Sequence, residues 1–177
     1  MTARLGSLFA GGIRDGFQRV IERIGLQRLI GQDVQSALAA FVELLAPNGS
    51  LLEDVAARNS MIETLNMVFE EYDVGADGVT ALDRMDSAAL GEVIRLSVVN
   101  YVNARMQQEL ANRIERGTLP ESEANRLMDE VRDFITEIVK LDFGGMDLVS
   151  LDWDGPQGRR FVDDVYEEAY RLLGDES

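Results

Sequence analysis

A chain of 177 residues is long enough to bury one substantial core, and this one has neither cysteine nor histidine, which removes disulfides, thiolate zinc sites and the usual general base near neutral pH. Every Ser/His/Asp or Cys/His nucleophilic arrangement goes with them. Lys140 is the sole lysine, so lysine-based phosphate loops and Schiff bases are almost excluded, and a formal net charge of −15 opposes nucleic-acid binding through the body of the protein.

The acid-rich, lysine-poor, cysteine-free composition resembles that of proteins from salt-loving archaea. A genome that prefers arginine to lysine accounts for it equally well. No run of eighteen apolar residues is long enough to span a bilayer, and the N-terminus has no compact apolar stretch followed by a small-residue cleavage site. A cytoplasmic or intravirion protein is expected.

Residues 1–32 differ in charge from the rest. Five arginines stand against two acids there, a net +3, whereas residues 33–177 hold 12 basic and 30 acidic residues, a net −18. Leu5, Phe9, Ile13, Phe17, Val20, Ile21 and Ile24 recur at helical spacing, with Arg14, Arg19 and Arg23 mostly on other faces. This predicts an amphipathic N-terminal helix with a basic polar side, weakened by six glycines. Such a helix needs something to pack on. It can fold against its own acidic domain, with Gly12 and Gly16 permitting close approach, or dock into an identical subunit or other protein. Peripheral membrane contact is the lesser alternative, since two aromatic residues make a poor anchor.

Val34, Ala37, Leu38, Phe41, Val42 and Leu45 describe a second helix from Asp33, stopped by Pro47, Asn48 and Gly49. Ser50 and Glu53 have capping-box spacing for a third helix, whose buried stripe runs through Val55, Ile62, Leu65, Val68, Phe69 and Tyr72. The following linker carries Phe69, Tyr72, Asp73, Asp77, Gly78 and Val79, which resemble the end of the entering helix and the first half of an EF-hand calcium loop. That resemblance implies Asp73 and Asp77 as metal ligands. The second half departs from the pattern, because Arg84 stands where a bidentate glutamate belongs, and a cation there weakens calcium binding.

Ser87 to Arg116 lacks proline, and its first half, Leu90 to Val102, is apolar on nearly every face. A helix of that kind must be enclosed by others, so it is expected to be a central buried rod. Its second half thins to Met106, Leu110 and Ile114, a further candidate docking stripe unless the next helix covers it. Thr118, Pro120 and Glu121 start that helix, with a regular stripe from Ala124 to Leu141. Asp142, Asp147, Asp152 and Asp154 then surround Trp153. Asp152 and Asp154 are candidate ligands for calcium or magnesium, against a surface loop in which Asp154 caps the last helix. The last helix, from Pro156, buries Phe161, Val162 and Val165.

The expected fold is all-α: a single-domain bundle of six or seven helices around the long helix at about 87–116, divided into a basic segment 1–32 and an acidic domain 33–177. Two function classes remain. The favoured one is a non-enzymatic interaction or assembly module, without a cofactor, binding a protein partner or identical subunits. Viral or phage structural proteins and small subunits of bacterial complexes are concrete members. Its partner-binding candidates are Phe9, Ile13, Arg14, Phe17, Arg19, Arg23, Met106, Leu110 and Ile114. The alternative is a divalent-cation regulatory protein using Asp73, Asp77, Asp152 and Asp154.

Overall fold

A computed structural model describes residues 1–29, 31, 33–49, 52–117, 120, 122–123, 126–127, 129–130, 133 and 146–174. The fold is all-α, with no strand among the described residues. Its axis is the helix α6 (Ser87–Glu115), preceded by α1 (Thr2–Asp15), α2 (Phe17–Arg23), α3 (Val34–Leu45), α4 (Leu52–Glu71) and the single turn α5 (Val74–Asp77), and followed by α7 (Pro156–Gly174). Short 3-10 helices occupy Gln27–Leu29 and Val79–Arg84. None of the described helices is long and apolar enough to cross a membrane.

The long helix begins where Asp86 Oδ1 accepts the N–H of Ala89 at 2.9 Å, satisfying one of the four donors every helix start leaves open. Leu90, Val93, Ile94, Val98, Val99 and Val102 are all buried, as the enclosed rod requires. Ser97, Asn100 and Asn103 lie buried on the same rod. α4 runs antiparallel to it, with Thr64 opposite Asn100 and Asn59 near Asn103.

On α4, Leu65, Val68 and Phe69 are buried as expected, with Ile62 and Tyr72 packed half-buried beside them, and the pattern departs from the expected one at Val55. Val55 is 43% exposed, and the inner face passes through Ala56, Ser60, Met61, Thr64, Leu65 and Val68. Small polar residues take inner positions because their hydroxyls find acceptors there: Thr64 Oγ1 donates to the Ser60 carbonyl at 2.7 Å. The Ser50–Glu53 capping box lies outside the described residues, and so does most of the segment from Ala124 to Leu141.

Residues 1–29 form two α-helices rather than one. Gly16 adopts φ 91°, a left-handed value that favours glycine, and the chain folds back there. Phe17 then lies on Gly12, where a Cβ would stand 2.4 Å from the ring, and meets Phe9 edge to face with centroids 5.3 Å apart. The N–H of Phe17 is accepted by Asp83 Oδ1, so a carboxylate 66 residues away caps α2. Leu5, Phe9, Phe17 and Ile21 have no exposed surface and belong to the same core as Phe41, Leu65, Leu82 and Ile94. Residues 1–29 therefore share one core with the helices that follow.

The loop before α7 is pinned from inside. Trp153 is buried, its Nε1 donates to the Leu148 carbonyl at 2.9 Å, and it meets Phe161 edge to face at 5.6 Å. The expected cap of α7 by the Asp154 side chain is not found among the described residues. Asp152 Oδ1 accepts the Gly155 N–H at 3.1 Å instead, while Asp154 turns to Ser7.

Candidate docking site

On α1, Arg4, Ser7, Leu8, Gly11 and Arg14 share one face because they recur at helical spacing. The fold-back at Gly16 places α2 beside this face, so that Val20, Arg23 and Ile24 approach it. Leu44 and Leu45 of α3 and Asp154 complete a groove of about 540 Å³. Leu8, Val20, Ile24 and Leu44 give it an apolar wall, and Arg4, Arg14 and Arg23 border it. Gly11 lies at the join of the two helices: a Cβ there would make ordinary contact with Val20 Cγ2 at 3.4 Å and Arg23 Nη2 at 3.7 Å.

One carboxylate organises two of the cations. Asp15 is 3.1 Å from Arg23 Nη2 and 3.4 Å from Arg14 Nε. The hydrogen bond from Arg23, aided by Arg14, holds its carboxyl below the usual carboxylate range. Arg4 has no hydrogen bond or ion pair among the described residues. Asp154 accepts from the Ser7 hydroxyl at 2.8 Å, which occupies one of its oxygens. Each guanidinium has five N–H donors, so Arg14 and Arg23 keep donors beyond those given to Asp15. The groove can hold carboxylates beside an apolar side chain.

The docking residues expected from sequence divide sharply. Phe9 and Phe17 are fully buried and cannot face a partner, because they are the hydrophobic contact that closes α1 on α2. Ile13 is half-buried against the core. Arg14 and Arg23 border the groove, whereas Arg19 is exposed outside it. On α6, Met106 packs half-buried on the core and Ile114 is half-buried, while the side chain of Leu110 lies outside the described residues. Sequence reasoning missed Arg4, Leu8 and Leu44. Leu44 carried a signal, since adjacent Leu44 and Leu45 cannot both face one core from a helix.

The acidic candidates are dispersed. Asp73 adopts φ 55° at the end of α4, and Asp77 is 3.4 Å from Arg84 Nη1, so the arginine in the place of the calcium-loop glutamate pairs with the loop's own carboxylate. Asp152 and Asp154 serve Gly155 and Ser7 as described. Among the described residues, no three acids gather where they could hold one metal ion.

One family, described as the Qat anti-phage system associated protein QatB, matches residues 1–173. Neither the curated proteins nor the solved structures yield a match to the chain. The expectation of a virion component finds no support in these comparisons.

Proposed function

We propose that this chain, which belongs to the QatB family of Qat anti-phage system associated proteins, is a non-enzymatic assembly component of a multi-protein anti-phage system, docking through the arginine-bordered groove of α1 and α2. The partner is a protein segment that carries carboxylates around an apolar side chain. The observation that carries this reading is the convergence of Arg4, Arg14 and Arg23 over an apolar wall, in a chain whose residues from 33 onward hold a net −18. Opposite charge at such a rim speeds encounter and fixes register, while the apolar wall supplies the burial that holds the complex. A net −15 on the whole chain repels nucleic acid and also a second copy of itself, which leaves a different protein as the favoured occupant.

Removing residues 1–32 would strip Phe9 and Phe17 from the core, so the test uses point substitutions. The full chain is co-expressed with the other components of its anti-phage system and purified through a tag on one of them. The triple variant Arg4→Glu/Arg14→Glu/Arg23→Glu is expected to fold and to lose co-purification. The control Arg19→Glu, on exposed surface outside the groove, should keep it. Retention of the complex by the folded triple variant would refute the groove as the docking site.

A further inference from the structure

We propose a second binding site, in the groove between α4 and α6 around Asn103, for a primary carboxamide carried on a peptide: the side chain of a partner's glutamine or asparagine. Asn103 is only 5% exposed, yet neither its Nδ2 nor its Oδ1 has a hydrogen-bond partner. Buried side-chain groups are nearly always paired, and an orphan of this kind asks for an explanation. The other buried polar residues of the rod do not share its state. Ser97 Oγ donates to the Ile94 carbonyl at 2.9 Å, and Asn100 Nδ2 donates to Thr64 Oγ1 at 3.1 Å.

What distinguishes Asn103 is that it borders a groove of about 300 Å³, formed with Asn59, Ile62, Glu63, Ala104, Gln107 and Gln108. Asn103 offers a donor and an acceptor side by side. A carboxylate ligand brings only acceptors, and an ammonium or guanidinium only donors, so either leaves one end of Asn103 unpaired. A primary carboxamide brings both and pairs with it through two parallel hydrogen bonds. The lining agrees with a neutral polar ligand: three further carboxamides, and one carboxylate, Glu63, that repels an anion. Ile62 and Ala104 supply apolar contact for the methylenes of a glutamine. The volume is at the small end for ligand pockets and suits one side chain. This groove shares no residue with the arginine-bordered one.

The test is a titration of the full, nitrogen-15-labelled chain, followed through the side-chain NH₂ resonances of Asn59, Asn103 and Gln107. N-acetyl-glutamine methylamide should shift these resonances saturably, while N-acetyl-glutamate methylamide should not. Asn103→Leu, which replaces the orphaned amide by an apolar group of similar size, should abolish the response. Ala104→Phe, which fills the groove and leaves Asn103 in place, should abolish it as well, so the result does not hang on one variant folding. No response to the glutamine probe, an equal response to the glutamate probe, a response surviving in a folded variant, or tighter binding of free glutamine would each overturn the proposal.

Discussion

Gly6 of α1 lies flat against the indole of Trp153, so closely that a Cβ on residue 6 would stand 2.3 Å from ring atoms Cδ2 and Cε3. This contact fastens the loop before α7 to the first helix, and with it places Asp154 beside Ser7 at the groove. Gly6→Ala forces the ring or the helix to move, and overpacking of this kind costs about 1–3 kcal/mol. Because Trp153 is the only tryptophan, its fluorescence reports both the local shift and the unfolding midpoint. An unchanged midpoint and an unchanged emission maximum would show that the two residues are not in contact.

Thr64 and Asn100 join α4 to α6 through a hydrogen bond of 3.1 Å inside the core. Thr64→Val keeps the shape of the side chain and removes its acceptor, stranding the Asn100 amide. Leaving one such buried donor unpaired costs about 1–3 kcal/mol. Urea denaturation should show a lower midpoint at an unchanged slope. Stability equal to that of the parent would mean that Asn100 has another partner.

Asp33 caps α3, accepting the Ser36 N–H at 3.0 Å and the Ser36 hydroxyl at 2.7 Å. Those two bonds hold its carboxyl below the usual 3.8 in the folded state. A depressed carboxyl stabilises the fold above its unfolded value, and that contribution disappears as pH falls through the folded one. Asp33→Asn keeps a capping acceptor and removes the titration. The stability difference between parent and variant, measured by thermal melts, should therefore shrink as pH drops below about 4. A difference constant from neutral pH to pH 2.5 would remove Asp33 from the acid response.

The long helix was legible in the sequence because an apolar run without proline leaves few alternatives, and α6 spans Ser87–Glu115 as periodicity requires. The N-terminal region was legible as helical and amphipathic but not as broken. Its periodicity runs through Gly16 without interruption, and only the tertiary fit of Phe17 onto Gly12 and the capping carboxylate of Asp83 show why the chain folds back there. The same break explains why the docking residues sorted as they did. Phe9 and Phe17 look like an exposed stripe on one straight helix, whereas on two folded helices they become each other's partner. Asn103 had no sequence signal, because an asparagine in an apolar rod reads the same whether its amide is paired or orphaned.

Arg4 borders the groove and has no hydrogen bond or ion pair among the described residues, so that its loss removes no known contact of the fold and isolates the docking role. The measurement is the affinity of the purified full chain for the system component that co-purifies with it, by titration calorimetry at about 0.1 M and 0.5 M salt. Arg4→Glu should weaken binding about tenfold or more at the lower salt, and the gap should narrow at the higher as screening removes the charge term. Equal affinities for the two forms at both salt concentrations would contradict docking through this groove.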